Sequence, residues 1–294
     1  MSGSPVMNED PFVIHRNLLF TVAYEMLGSA ADAEDVLQES WLRWAGVDHE
    51  QVRDPRAYLV RIVTRQALNQ LRTVSRRREE YVGEWLPEPL LTSPDVADDV
   101  ELAESVSMAM LTVLETLGPT ERVVFVLREV FDVPYDEIAE AVDKSPAAVR
   151  QIAHRAKDHV AARRPRTRVE PAEQAQVVER FLLAVNTGDV QGLMDVLAPD
   201  AVLIADGGGI VQAARRPITG AERVATLIMQ GIATVHLAAS SMWVNGAPGI
   251  RIDVDGELAA AGGVVVENGR ITRIYSIVNP NKLGWLDAEA ALAR

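Results

Sequence analysis

Pro134-Tyr-Asp-Glu-Ile-Ala-Glu-Ala-Val-Asp-Lys-Ser-Pro-Ala-Ala-Val-Arg-Gln-Ile-Ala-His-Arg-Ala-Lys157 reads as two short helices with a tight break around Asp143–Ser145. Ser145 is placed to cap the second helix, and Pro146 takes its first position, where a missing N–H costs nothing. Small Ala139 lets the first helix cross closely over the second. On the second helix Val149, Ile152, Ala153 and Ala156 share one face, which leaves Ala147, Arg150, Gln151, His154, Arg155 and Asp158 on or near the other. An exposed face with Arg and Gln in its first half can make bidentate contacts to base edges in a major groove, with Lys157, Arg163 and Arg164 alongside for phosphates. A merely solvated helical hairpin has the same apolar spacing, so charge has to separate the two. Between Arg150 and Arg168 there are seven bases and one acid.

That local excess stands against the rest of the chain. Over 294 residues, 29 Lys+Arg against 42 Asp+Glu leave a net charge of −13, so the molecule as a whole does not attract polyanions. A second basic block, Arg53–Arg78, holds eight arginines and only Asp54 as an acid. Its apolar residues Tyr58, Ile62, Ala67 and Leu71 follow helical spacing behind Asp54-Pro55, a cap with proline in the first turn. The helix ends in Leu71-Arg-Thr-Val-Ser-Arg-Arg-Arg78 and can lie along a nucleic-acid backbone; a solvated helix end favoured by its dipole is the plainer alternative. Ile14, Leu18, Val22 and Met26, then Val36, Leu37, Trp41 and Trp44, add two more helical runs.

Between the basic blocks, Glu84–Glu104 holds seven acids and no base, with prolines at 87, 89 and 94, and reads as an extended linker. Leu102, Val106, Met110, Val113, Leu114 and Leu117 then predict one amphipathic helix stopped by Gly118-Pro119. After Arg163–Arg168 the pattern changes to helices over 173–186 and 190–197, followed by strands over 201–204, 235–244, 250–254, 258–267 and 270–278, with Asn268-Gly269 as a hairpin turn. The fold class is multidomain: two all-α helical domains and a C-terminal α+β domain. The 48% apolar content excludes global disorder, and with 5% aromatics the cores are built from Ala, Val and Leu.

The absence of cysteine excludes disulfides, thiolate zinc sites and iron–sulfur clusters and suits a reducing cytoplasm. The start MSGSPVMNEDPF has no basic segment followed by an apolar run, and no stretch approaches a membrane span, so no membrane association is expected. The histidines at 15, 49, 154, 159 and 236 show no ligand spacing, so no metal and no cofactor are expected.

Asp32-Ala-Glu-Asp-Val-Leu-Gln-Glu-Ser-Trp-Leu-Arg-Trp44 resembles region 2 of the extracytoplasmic-function sigma factors, and Leu117-Gly-Pro-Thr-Glu-Arg-Val-Val-Phe-Val-Leu-Arg-Glu129 with the helix-turn-helix resembles their region 4. The resemblance implies an alternative sigma factor that directs RNA polymerase to promoters. Region 2 (1–80) would engage the −10 element and region 4 (101–167) the −35 element, joined by the linker 81–100. Asp35, Gln38, Glu39 and Trp41 would dock on the coiled coil of the polymerase β′ subunit, where acids and an aromatic anchor meet basic residues; region 4 would meet the β flap. Asn69, Arg72, Arg76 and Arg77 would face the −10 element, Arg150, Gln151, His154, Arg155 and Lys157 the −35 element. The loop 46–53 lies where such factors capture a flipped base. Trp44 reads as core.

Trp85-Leu86-Pro87-Glu88-Pro89-Leu90, Asp206-Gly207-Gly208-Gly209 and Asn279-Pro280-Asn-Lys282-Leu283 resemble three signatures of the sigma factor J-like group, whose extra domain (168–294) is a SnoaL-like α+β cone. Those segments are expected to form an interdomain regulatory contact. The chain departs from the pattern at Ile210, where Lys is expected, and at Asn281, where Asp is expected. The cone leaves room for an unidentified small ligand. His236 with Asp206, Asp253 or Asp255 is a poor set for proton transfer, so no catalytic residue and no enzyme activity are expected. Two other readings share the motifs: a ligand-sensing DNA-binding regulator independent of polymerase, and a SnoaL-like cyclase or isomerase fused to a DNA-binding module.

Overall fold

The computed structural model describes residues 10–79, 81–164, 169–233 and 235–294, and of residues 74–79 the backbone alone. Helices α1 Pro11–Ile14, α2 Arg16–Leu27, α3 Ala30–Ala45 and α4 Pro55–Glu79 come first. Each start has a chemical cause. Asp10 accepts from the Phe12 N–H, Ser29 from Asp32, and Asp54 from Ala57, each satisfying a donor that has no partner inside its helix. The apolar run from Ile14 to Met26 divides at His15, which leaves Ile14 exposed rather than in the core.

The amphipathic helix predicted over 102–117 is two helices, α5 Val100–Val106 and α6 Met108–Leu114. Ser107 breaks it: its backbone is extended at ψ 147 and its hydroxyl accepts from the Met110 N–H as a new cap. Next come α7 Pro119–Phe125, continued by a π-turn over Val126–Val130, then α8 Tyr135–Val142 and α9 Pro146–Ala161. The α8–α9 break is the expected one, with Asp143 left-handed at φ 55 and Ser145 capping Ala148.

The C-terminal part begins with α10 Pro171–Thr187 and α11 Val190–Val196, then β1 Leu197–Asp206, β2 Ile218–Thr219 and α12 Ala221–Ile232. It ends in β3 Leu237–Val244, β4 Ala247–Val254, β5 Glu257–Glu267 and β6 Arg270–Ile277. The sheet order is β2-β1-β6-β5-β4-β3, with β1 and β6 parallel and the remaining neighbours antiparallel. Sequence pattern missed α12 and β2. Val224 and Ala225 of α12 are buried on the sheet, but the glycine-rich surroundings disguise a run of only twelve residues.

Chain compactness divides the protein into two units. One takes the chain up to Thr73, Gly118–Lys157 and Leu292–Arg294; the other takes Val74–Leu117 and Asp158–Ala291. In the first, α3 packs on α2, and the buried Arg122 of α7 donates through Nε and Nη2 to the Glu25 carbonyl of α2 at 3.0 and 2.9 Å. Burial without full hydration pulls that guanidinium down to about 9.

In the second unit, alternation along the strands sends side chains to two cores. Val264, Val266, Ile271 and Ile274 meet α10, α11 and α12 on one face. Val265, Tyr275 and Ile277 meet Leu86 and Met108 on the other, so the linker and α6 cover the sheet's second face. This accounts for β5 being apolar without interruption from Ala260 to Val266, where a sheet with one wet face would alternate.

Candidate functional site

Three surfaces carry the residues singled out by sequence. On α3, Val36, Leu37 and Trp44 turn inward, and the same helical period turns Asp35, Gln38, Glu39 and Trp41 outward. Trp41 is 46% and Leu42 62% exposed, whereas Trp44 is 1% exposed. Trp44 donates from Nε1 to Asp10 at 2.8 Å and stacks on His49 with ring centroids 4.0 Å apart, so it is a core residue that also fixes the start of the following loop. Glu39 accepts from Gln66 of α4 at 2.6 Å, holding its carboxylate at one edge of the acidic row.

On α4, Asn69 and Arg72 are exposed; Arg76 and Arg77 fall where side chains lie outside the described residues. The arginines nearer the start of α4 are engaged within the unit: Arg61 pairs with the Glu140 carboxylate at 2.7 Å, and Arg65 donates to the Glu140 carbonyl at 2.8 Å. Residues of the loop 46–53, with Tyr58, Arg61, Glu137 and Glu140, line a cavity of about 480 Å³. On α9, Arg150, Gln151, His154, Arg155 and Lys157 are all exposed along one side. Lys157 pairs with Glu129 at 2.6 Å, Arg155 with Glu121 at 4.0 Å, and Arg150 lies 5.5 Å from the centroid of the Tyr135 ring, so at least three of the five are held by neighbours.

The third surface lies within the second unit, where the three signature segments meet. The fully buried Asp206 ends β1. Its Oδ2 accepts from Lys282 Nζ at 2.8 Å and from the Leu86 N–H at 2.9 Å; its Oδ1 accepts from the Tyr81 hydroxyl at 2.6 Å and the Gly208 N–H at 3.1 Å. Lys282 also donates to the Leu86 carbonyl and sits 3.8 Å from the centroid of the Trp85 ring, so its charge meets a carboxylate, a carbonyl and an aromatic face. Asn279 donates to the Tyr81 hydroxyl at 2.8 Å. Burial first, and then the hydrogen bond to Asp206, push the Tyr81 hydroxyl well above its ordinary value. Gly208 is left-handed at φ 60, and a Cβ there would strike the Asn279 amide, so the turn needs glycine for its angles and for close approach.

Residues 86–90 of the linker are therefore a buried strip against the sheet. Leu86, Pro87, Glu88, Pro89 and Leu90 are all buried, and Leu90 exchanges two hydrogen bonds with Asn245, N–H to Oδ1 at 2.9 Å and O from N–H at 3.0 Å. Its acids and prolines read as an extended linker, and where that linker is buried the prolines remove donors that burial would have left unsatisfied. Ile210 and Asn281 are both exposed, so neither departure adds a charge to the buried network. Sequence reasoning missed Tyr81, Asn245 and Arg122. Only Asn245-Gly246, a hairpin dipeptide between two apolar runs, carried a readable signal.

The side chains weighed for proton transfer lie apart in their contacts. Asp206 belongs to the lysine network, Asp253 is held in a fork by Arg251 at 2.7–3.0 Å, and His236 is exposed. Among the described residues no group of three His, Asp or Glu is placed to hold a metal ion, and no helix is long and apolar enough to cross a membrane.

Comparison with known proteins agrees with the helical surfaces. Residues 12–77 match the model of Sigma-70 region 2 and residues 107–160 that of Sigma-70, region 4. The ECF RNA polymerase sigma factor SigJ of Mycobacterium tuberculosis is 37% identical over 291 residues, covering 94% of this chain and 93% of the relative. The chain belongs to the extracytoplasmic-function sigma factors. A probable ECF sigma factor SigI from the same species is 34% identical over 279 residues, covering 94% of each chain. The crystal structure of the M. tuberculosis SigJ superposes with a TM-score of 0.75 at 35% identity, over 92% of this chain and 96% of that one, so the likeness includes the C-terminal domain. As a member of this family the protein is an alternative RNA polymerase sigma factor, a transcription-initiation factor whose partners are core RNA polymerase and promoter DNA.

Proposed function

We propose that this sigma factor works in the cytoplasm and docks on the coiled coil of the polymerase β′ subunit through Asp35, Gln38, Glu39 and Trp41. The observation that carries this reading is the outward row on α3, in which three polar or acidic groups flank a half-exposed tryptophan while Trp44 is spent on the core. An exposed aromatic ringed by acids is a poor solvent surface and a good anchor for a basic partner. Asn69, Arg72, Arg76 and Arg77 then meet the −10 element. Arg150, Gln151, His154, Arg155 and Lys157 meet the −35 element, with the β flap as the further contact of region 4. The working boundaries are 1–80 for region 2, 81–100 for the linker, 101–167 for region 4 and 168–294 for the C-terminal domain.

In this reading the C-terminal domain regulates initiation through the buried network of Tyr81, Trp85, Leu86, Asp206 and Lys282, with Gly207, Gly208, Gly209, Asn279, Pro280 and Leu283 shaping its walls. A small ligand of the cone would be apolar, because α10–α12 turn residues such as Val178, Phe181, Leu193 and Val224 toward the sheet. Reconstitution of the full-length chain with core polymerase tests the assignment. Promoter-dependent run-off transcription should appear only with core present and fall with Asp35→Ala and Trp41→Ala; tight duplex binding by the protein alone, with no initiation, would favour a polymerase-independent regulator.

A further inference from the structure

The turn between β3 and β4 does more than join two strands. Asn245 is fully buried and left-handed at φ 53, and Gly246 follows at φ 75, so the pair makes the two-residue hairpin turn that matches strand twist. Asn245 faces the linker on one side, where Oδ1 accepts from the Leu90 N–H at 2.9 Å and its own N–H donates to the Leu90 carbonyl at 3.0 Å. On the other side Nδ2 donates to the Val106 carbonyl at 2.8 Å. Only one orientation of the amide satisfies both side-chain bonds. The Val106 carbonyl belongs to the last residue of α5, next to the Ser107 break, where a helix leaves its carbonyls without internal partners. Gly246 continues the clamp by donating to Thr92 Oγ1 at 2.9 Å, and a side chain at Gly246 would press on the Ala103 backbone at 3.1 Å.

We infer that Asn245 is a positioning residue: by tying Leu90 of the linker to Val106 at the end of α5 it fixes the path of the chain into the helices of region 4, and so sets the separation of promoter elements at which the sigma factor initiates. The inference rests on the sigma reading and adds a residue outside the three signature segments. Region 4, as matched over 107–160, starts one residue after Val106. Without the Asn245 side chain the segment between Leu90 and Ser107 would still be held at Leu91 and Thr92 by Trp285, Trp243 and Gly246, but its tie to Val106 would be gone and its far end could adopt several positions. Each base pair added between the elements rotates one by roughly a tenth of a turn against the other. A pinned connection tolerates little of that rotation, while a loose one tolerates more and loses the effective-concentration advantage of joined sites.

Asn245→Gly keeps the left-handed backbone and deletes both side-chain bonds. Asn245→Asp keeps the acceptor for Leu90 and turns the donor facing Val106 into a second acceptor. Asn186→Ala is the control: Asn186 clamps the backbone of Ala239 in edge strand β3 at 2.8 and 2.9 Å, inside the same domain and away from linker and α5. The experiment is run-off transcription by full-length sigma factor with core polymerase, from a template selected with the wild type and then lengthened or shortened between its two elements one base pair at a time. Thermal melts run in parallel, and hydrogen exchange is followed at the Leu90 amide. Both Asn245 variants should lose several-fold output at the best spacing and flatten the dependence on spacing, with faster exchange at Leu90. Asn186→Ala should lower the melting temperature and scale output without changing the shape. An unchanged spacing profile in both Asn245 variants overturns the inference even if the melts shift. Failure of the wild type to initiate at all would remove the sigma reading and the inference with it.

Discussion

Lys282 donates to the carboxylate of Asp206 across 2.8 Å with both side chains sealed from solvent, 7% and 0% exposed. A charge pair at that depth is held by what surrounds it. Asp206 also accepts from two backbone N–H groups and a phenol, and the ammonium has a carbonyl and an indole face, so neither ion depends on the other alone. Removing one partner exposes the desolvation that the whole cluster offsets. Lys282→Met should cost ~3–5 kcal/mol of stability, read as a lower urea midpoint at neutral pH. The double variant with Asp206→Asn should lose less than the sum of the two single changes. A Lys282→Met protein as stable as the wild type would mean that the pair does not hold the linker down.

The same cluster has an alkaline signature. The Tyr81 hydroxyl is pushed up by burial and by donating to Asp206, so its folded value stands above the unfolded value of about 10. Sign follows from the protons: above pH ~10 the unfolded chain releases a proton that the folded chain keeps. The Tyr81 contribution is therefore complete below that pH and declines as pH rises toward the folded value. Urea midpoints measured at pH ~8 and ~11 should differ less in Tyr81→Phe than in the wild type. Part of the slope should survive in the variant, since burial also raises Tyr275.

Two tryptophans three residues apart should give opposite phenotypes. Trp41→Ala removes an exposed anchor and should weaken binding to core polymerase by ~2 kcal/mol or more, close to thirtyfold, with an unchanged melt. Trp44→Ala leaves a cavity beside His49 and Tyr58 and should cost ~3–5 kcal/mol of stability. Fluorescence-monitored unfolding and a core-polymerase binding titration separate the two, and a stability loss at Trp41 equal to that at Trp44 would contradict the docking assignment.

These contrasts mark what was legible in the chain. The 3.6-residue period put Trp41 and Trp44 in one apolar run, and only the resemblance to sigma region 2 set Trp41 outside; caps at Asp54 and Ser145 located two helix starts, because those signals are local. For the linker, the resemblance brought residues 85–90, 206–209 and 279–283 together, but no local signal marked Leu86 and Leu90 as core. Acids and prolines at 84–104 are the composition of a tether, and only the second face of the sheet, made of residues more than 150 positions away, turns Leu86 and Leu90 into core. Leu86 belongs in that core, so Leu86→Ala should cost ~2–5 kcal/mol of stability as well as the contact, and Trp85→Ala, at a half-buried residue, is the cleaner probe. The Ser107 break escaped for a similar reason, since the apolar period runs through it and only the extended Ser107 backbone and its cap on Met110 reveal two helices.

Glu140 of α8 holds two arginines of α4. Its carboxylate holds Arg61 at 2.7 Å and its carbonyl holds Arg65 at 2.8 Å, on the helix whose arginines are proposed to meet promoter DNA. The ion pair is partly exposed, with side chains 35% and 64% accessible, so its net contribution to stability is ~0–1 kcal/mol. Its effect on DNA should be larger than its effect on folding, because an acid resting on a guanidinium must leave before a phosphate can take its place. Glu140→Gln keeps the carbonyl contact and removes the charge. The urea midpoint should barely move, while the affinity of the free sigma factor for duplex DNA rises and the log–log salt slope steepens by ~0.9 for each further phosphate neutralised. Arg61→Ala in the Glu140→Gln background should return the slope to its wild-type value; a slope indifferent to both changes would place Arg61 away from the DNA.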